Sequence, residues 1–108
     1  MQLLVQVYCR GQGSPRNKIA GDRRLGKYGL WVEKEQTPGR KPGWMKVQSS
    51  IKGRRGAINV EWDAHAKLLT CRIVTRLGKP AGIVGDLIEY LLAHQRSRIK
   101  TIVLLPSV

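Results

Sequence analysis

The most constraining stretch of the sequence runs from Pro80 to Leu105, where a helical pattern passes almost directly into the most apolar segment of the chain. Apolar residues recur there with the three- and four-residue spacing of one helical face: Ile83, Val84, Leu87, Ile88, Leu91 and Leu92. Pro80 suits a first helical position, because the amide hydrogen that it lacks would be unpaired there. We therefore predict an amphipathic helix that begins at Pro80 and packs its apolar face on the rest of the protein.

The segment after this helix, Ile99 to Leu105, predicts a strand. Its run from Ile102 to Leu105 shows no alternation with polar residues, which is typical of a strand buried on both faces. Because a helix crossover usually joins parallel strands, we expect this strand to lie parallel beside the strand that immediately precedes the helix.

Alternating apolar and polar residues upstream of the helix predict five strands, which cover residues 3–9, 28–35, 44–51, 58–62 and 67–76. Short loops favour antiparallel neighbours. The expected fold class is therefore α+β, a mostly antiparallel sheet of about six strands in the order β-β-β-β-β-α-β, with one amphipathic helix packed on one face. A four-residue loop from Asp63 to Ala66 would place Val60 opposite Leu69 and Ile58 opposite Cys71.

Because one helix covers only one face of a sheet, the opposite face should be open and mostly polar. By alternation it carries Trp31, Trp44, Lys46, Gln48, Thr70, Arg72 and Val74.

The length of 108 residues, 42% of them hydrophobic, predicts one small basic domain over residues 1–108. Residues 10–27 are glycine-rich and basic, without periodicity, and predict a loop that is mobile until a ligand binds. The two cysteines, Cys9 and Cys71, form no close Cys or His cluster, so we expect reduced, packed thiols and no metal or other cofactor. With no apolar run of about 20 residues, the expected protein is soluble and cytoplasmic, without a membrane partner.

The net charge of +13 is the strongest functional signal, since such an excess is typical of proteins that bind nucleic acid. If the first five strands alternate in direction, the first loop, the third loop and the link into the helix share one end of the sheet. That end would collect Arg10, Arg16, Lys18, Arg23, Arg24, Lys27, Lys52, Arg54, Arg55, Arg76 and Lys79. The helix N-terminus would lie there too, with Gly78 and Gly82 leaving room for a phosphate.

These patterns predict a non-enzymatic domain that binds the phosphate backbone of RNA or single-stranded DNA at the basic end of the sheet. Tyr28 and Trp31 are candidates for base stacking, which favours single strands. The alternative is a protein-interaction subunit, a homodimer or a module for an acidic protein, that uses the open sheet face. A minor alternative is a small metal-dependent nuclease with Glu61, Asp63 and His65, although Asp63 is more simply a turn-capping residue.

Overall fold

The computed structural model describes residues 2–75 and 79–106. Its regular elements are β1 (Gln2–Cys9), α1 (Pro15–Ala20), β2 (Leu30–Lys34), β3 (Trp44–Ser49), β4 (Ala57–Asp63), β5 (Leu68–Val74), α2 (Ala81–His94) and β6 (Ile99–Leu105). A 3₁₀ helix at Arg23–Tyr28 precedes β2, and a 3₁₀ turn at Arg96–Arg98 precedes β6.

The six strands form one sheet in the order β2-β3-β4-β5-β1-β6, and every pair of neighbours is antiparallel. The helix α2 packs on one face of this sheet through Ile83, Leu87 and Leu91, all of them buried in the hydrophobic core. The α+β fold class predicted from the sequence is confirmed. So is the composition of the open face, because the cross-strand pairs place the predicted residues of β2 to β5 together, from Trp31 opposite Gln48 to Val74 opposite Ala57.

The position of β6 differs from the prediction. β6 runs in the same direction as β5, but β1 lies between them and pairs with both. β6 is consequently an edge strand, and most of its residues are exposed rather than buried on both faces. The apolar composition that predicted a central strand is therefore found at the margin of the sheet.

Two details of packing also differ from the sequence-based expectation. The β4–β5 hairpin turns at residues 64–67, so Val60 lies opposite Cys71 and Ile58 opposite Ile73, two residues further along β5 than predicted. In α2, Tyr90 rather than Leu92 belongs to the buried face.

Residues 10–27, predicted to be a loop without regular structure, contain α1 and most of the 3₁₀ helix. Ser14 caps α1 by accepting a hydrogen bond from the amide of Asn17. Ile19 and Leu25 then enter the core on the same side of the sheet as α2. Two well-placed apolar residues thus anchor a segment whose overall composition is that of a disordered chain. No helix in the described part of the chain is long and apolar enough to cross a membrane.

Candidate nucleic-acid interface

The predicted basic end of the sheet depends on strict alternation of the first five strands, and this alternation fails. β1 is antiparallel to β5, and successive antiparallel pairs lead from β5 through β4 and β3 to β2. β1 and β2 therefore run in the same direction, so the connection between them crosses from one end of the sheet to the other. The predicted cations that the structure describes are therefore not gathered at one end.

Arg16 is one of the predicted phosphate ligands, and the structure gives it a different role. Its side chain is buried, and its guanidinium donates to the main-chain oxygens of Glu35 and Trp44, the latter at 2.8 Å. It also lies 3.7 Å from the exposed carboxylate of Glu35. Arg16 therefore ties α1 to the β2–β3 connection and does not present its charge to solvent.

Arg54 occupies the space that the sequence assigned to a phosphate. Its guanidinium donates to the buried carboxylate of Asp86 at 2.7 Å. A methyl group placed on Gly82 would lie 2.9 Å from the Arg54 side chain, which therefore fills the gap left by this glycine. The first turn of α2 is covered by the protein's own arginine.

The other predicted cations are spread over the molecule. Arg10 donates to the main-chain oxygen of Ile99 at 3.0 Å, and Arg24 forms an ion pair with Asp22 at 2.9 Å. The side chains of Lys18, Arg23, Lys27, Lys52 and Lys79 are exposed. Arg76, like Gly78, lies outside the described residues.

Tyr28, predicted to stack on bases, lies on the helical side of the sheet. Its hydroxyl is 3.0 Å from Nε2 of His94, and its ring meets that of Tyr90 edge to face at a centroid distance of 5.8 Å. Tyr90 in turn donates to Asp22 at 2.7 Å. Burial, and then this hydrogen bond to a carboxylate, raise the pKa of Tyr90. Tyr28 thus belongs to an internal aromatic cluster and is separated by the sheet from Trp31.

One predicted phosphate ligand, Arg55, and four predicted open-face residues, Trp44, Lys46, Gln48 and Val74, meet instead in a groove on the open face. The open-face groove has a volume of about 920 Å³ and follows β3 and β4 from the β2–β3 connection to the β3–β4 connection. Its lining residues are Lys34, Thr37, Arg40, Trp44, Lys46, Gln48, Gly53, Arg55, Gly56, Ala57, Asn59 and Val74. Among these described lining residues are four cations and no carboxylate. Trp31, opposite Gln48 in the sheet, stands beside the groove with 48% of its surface exposed.

The β2–β3 connection forms one end of the open-face groove because Gly43 lets the chain pass close to β4. Gly43 has a φ of 95°, a left-handed conformation that favours glycine, and a methyl group there would lie 2.9 Å from the main-chain oxygen of Trp62. The connection folds back over the sheet, and the guanidinium of Arg40 lies 5.2 Å from the ring centroid of Trp44. Trp44 is therefore buried on a face that the sequence predicted to be open.

The charge of the groove is not uniform. Lys46 forms an ion pair with Glu33 at 3.3 Å, and Gln48 donates to the same carboxylate at 3.1 Å. The hydrogen bond from Gln48, and then the contact with Lys46, lower the pKa of Glu33. Lys34, Arg40 and Arg55 are exposed, and they supply the positive potential. A smaller depression of about 250 Å³ continues from Arg40 and Asn59 across β5 to Arg72.

Neither Arg40 nor Lys34 is among the cations that the sequence predicts to bind phosphate. The signal that could have found the site was present in β3, where alternation already put Trp44, Lys46 and Gln48 on the open face. The sequence pattern did not predict that the β2–β3 connection folds back over the open face, because this path depends on a close approach to β4.

The residues of the minor nuclease alternative do not form a metal site in the described part of the chain. Asp63 accepts hydrogen bonds from the amides of His65 and Ala66 at 3.0 and 3.1 Å, which is the turn-capping role considered above. Across residues 2–75 and 79–106, no group of three or more His, Cys, Asp or Glu side chains is arranged to hold a metal ion.

No model of a known protein family matches the sequence, and neither the curated proteins nor the solved structures yield a significant match.

Proposed function

We propose that this protein binds single-stranded nucleic acid, RNA or DNA, along the open-face groove, and that it does so without catalysing a reaction. The observation that carries the proposal is the groove itself, a channel of about 920 Å³ whose described lining offers Lys34, Arg40, Lys46 and Arg55 but no carboxylate. Because each phosphate carries a negative charge, such a lining favours a phosphate backbone over most other extended ligands.

The neighbours of these cations favour a single strand over a duplex. Trp31 exposes nearly half of its surface beside the groove, and an exposed indole can stack on an unpaired base of any sequence. Gln48 and Asn59, which also line the groove, carry amide groups that can donate to and accept from base edges. These groups lie on a sheet surface, and the bases of a single strand are free to lie flat against such a surface.

The proposed binding site, the open-face groove, differs from the site predicted from the sequence. Charge and composition alone suggested the loops at one end of the sheet. In the structure Arg16 and Arg54, two of the predicted ligands, satisfy internal groups, whereas Arg55 lines the groove. The alternative of an open-face protein interface loses one of its two aromatic anchors, since Trp44 is covered by Arg40.

A matched pair of double variants tests the site. Lys34→Glu with Arg55→Glu reverses a cation at each end of the groove, and Lys18→Glu with Arg23→Glu reverses two exposed cations on the helical side. Each pair changes the formal net charge by the same amount, four units, from +13 to +9. The measurement is the fluorescence anisotropy of labelled RNA and DNA oligonucleotides of about 12 nucleotides, single-stranded and duplex, titrated at several salt concentrations.

We expect the groove variant to lose on the order of tenfold or more in affinity for the single strands, because two phosphate contacts become repulsive. The helical-side variant should lose at most a few-fold through the change in net charge. Equal losses in both variants would show that binding follows overall charge and would overturn the groove as the site. Failure of the unmodified protein to bind any of the four probes at low salt would overturn the function.

A further inference from the structure

The composition of β6 does not suit its position. β6 has the sequence IKTIVLL, with a single charged residue, yet it lies at the edge of the sheet. Proteins usually protect an exposed edge with charges, proline or irregular backbone, because an unpaired strand invites another strand. Lys100 and a bulge opposite Tyr8 and Cys9 provide such protection only at the start of β6. The remainder, Thr101 to Leu105, is regular and, apart from Thr101, apolar.

The free hydrogen-bonding groups of this edge can be assigned from the neighbouring strand. The amide of Arg10 donates to the main-chain oxygen of Arg98 beside β6, whereas that of Cys9 donates to Lys67 beside β5. Because these directions alternate along a strand, the even-numbered residues of β1 bond to β6, opposite Thr101, Val103 and Leu105. The main-chain groups of Ile102 and Leu104 therefore point away from the sheet.

Apolar side chains lie on both sides of the same edge. Six large hydrophobic side chains are exposed among the described residues, and four of them belong to β6 and its neighbour β1: Tyr8, Val103, Leu104 and Leu105. Val103 and Leu105 are on the open face, while Leu104, 48% exposed, is on the helical face.

The helix α2 extends this apolar surface above the sheet. The 3₁₀ helix packs against α2 and against β2, which is the edge strand opposite β6. The flank of α2 that faces away from the 3₁₀ helix therefore faces the β6 side. His94 and Asp86 lie on the flank near the 3₁₀ helix and Arg54. Ile88 and Leu92 are on the other flank, and Leu92 is 46% exposed.

We propose that β6 is the interface of a homodimer, in which the β6 strands of two copies pair antiparallel and join two six-stranded sheets into one. A strand is the partner that satisfies the outward main-chain groups of Ile102 and Leu104. A second copy of this chain supplies an equally apolar strand, as a two-fold interface requires. An acidic partner would gain little here, since Lys100 is the one cation of the strand.

The pleat is compatible with a register centred on Val103, and we assign the pairing this register. If Val103 lies opposite Val103 of the partner copy, Ile102 lies opposite Leu104 of that copy, and every residue from 101 to 105 keeps its side chain on its own face. Ile102 and Leu104 then form two hydrogen-bonded pairs, with four main-chain hydrogen bonds across the two-fold axis.

The dimensions of the edge fit a stable dimer. A seven-residue strand is roughly 23 Å long, and a sheet with a helix layer above it is roughly 20 Å deep. The projected side is thus on the order of 500 Å², before the corrugation of the surface is counted, against the ~800 Å² that each partner of a typical stable complex buries. The high positive charge of both copies opposes association, so we expect dimerisation to strengthen as salt screens this repulsion.

Sedimentation of the nucleic-acid-free protein in about 0.5 M salt tests the interface. We expect a dimer of the 12.1 kDa chain at micromolar concentration. Leu104→Lys places a charge in the interface and should raise the dimer dissociation constant at least about tenfold. The matched control, Trp31→Lys, adds the same charge at an equally exposed residue of the opposite edge strand and should remain a dimer.

Disulfide formation provides a second readout that does not depend on destabilising the interface. The native cysteines, Cys9 and Cys71, are buried. Among the described residues, a cysteine introduced on β6 would therefore supply the exposed thiol. In the proposed register Val103→Cys brings two thiols together across the two-fold axis and should cross-link on mild oxidation. Thr101→Cys, on the same face of the same strand, should not cross-link, because its counterpart lies four residues away along the paired strands.

A monomer at about 100 µM in high salt would overturn the proposal. So would a dimer that Leu104→Lys leaves intact, or cross-linking of Thr101→Cys as rapid as that of Val103→Cys. None of these results bears on nucleic-acid binding by the open-face groove.

Discussion

Arg40 covers Trp44, with the guanidinium carbon 5.2 Å from the centroid of the indole ring. This contact joins the β2–β3 connection to the floor of the open-face groove. The indole N–H is buried and has no hydrogen-bond partner among the described residues. A cation and an aromatic ring of the groove lining are thus in contact with each other, while Trp31 stands exposed nearby.

Substitutions of Arg40 and Trp31 should separate charge from stacking. Arg40→Ala removes one phosphate contact, so we expect weaker binding and a plot of log affinity against log salt that is shallower by about one unit. Trp31→Ala removes a stacking surface, which should weaken binding by about 1–3 kcal/mol at every salt concentration and leave the slope unchanged. Oligonucleotide titrations at four or more salt concentrations measure both quantities. An unchanged slope for Arg40→Ala would place Arg40 outside the contact surface.

Arg16 should matter for stability more than for binding. Arg16→Met removes the donor to two main-chain oxygens, those of Glu35 and Trp44, and leaves both unpaired near the base of the groove. Because hydrogen bonds from a charged donor contribute about 1.5–3 kcal/mol each, we expect unfolding to become easier by about 3 kcal/mol in urea titrations. Lys18→Met, an exposed change on the same helix, should alter stability by less than about 0.5 kcal/mol. Similar small effects of both substitutions would contradict the structural role of Arg16.

The sequence predicted those parts of the fold that depend on local periodicity. Alternation assigned the open-face residues of β3 correctly, because successive side chains of a strand point to opposite faces of the sheet. A shift of β3 by one residue would have placed its apolar side chains on the open face and its polar side chains in the core. The lateral position of β6 was not predictable in this way. The apolar composition of a strand indicates that another part of a protein covers it. Periodicity does not show whether that covering part belongs to the same chain.

The candidate site shows the same division between local and long-range information. Arg16 and Arg54 look like surface cations in the sequence, yet the groups that they bind are 19 to 32 residues away. Net charge predicted the kind of partner that we propose. The location of the groove required the return of residues 35–43 over the sheet, a long-range feature that composition does not contain.

Asp22 should make stability depend on pH in the acid range. It caps the 3₁₀ helix and accepts hydrogen bonds from Arg24 and Tyr90. These contacts, that of Arg24 above all, lower the pKa of Asp22, against the opposing effect of burial. A carboxyl group whose pKa is lower in the folded state stabilises the fold above its unfolded pKa of about 3.9, and loses this contribution as the pH falls towards the folded value.

Asp22→Asn should therefore unfold more easily than the unmodified protein at pH 7, and the difference should shrink as the pH falls below about 4. Urea titrations between pH 7 and pH 2 measure it. Glu89→Gln, which removes an exposed carboxylate of α2, serves as the control for net charge. A difference between Asp22→Asn and the unmodified protein that stays constant across this range would show that the ionised carboxylate is not what stabilises the cap.

Two glycines lie on opposite sides of α2, and substituting each of them by alanine should change the stability of the protein in opposite directions. Gly85 lies on the exposed side of α2, and a methyl group there would meet no described atom within 4 Å. Because alanine is a better helix former than glycine, Gly85→Ala should stabilise the protein by about 0.5–1 kcal/mol. Gly56 lies beneath the helix, where a methyl group would be 2.7 Å from Ile83 and 2.8 Å from the main-chain oxygen of Val74.

Gly56→Ala should consequently destabilise the protein by about 1–3 kcal/mol, because the main-chain oxygen cannot move aside as a flexible side chain would. Thermal unfolding resolves both effects, since 1 kcal/mol corresponds to about 4–8 °C in a domain of this size. The pair also tests the packing of α2 on the sheet. A neutral Gly56→Ala would mean that the helix lies further from the β3–β4 connection, while a destabilising Gly85→Ala would mean that the outer side of α2 is covered.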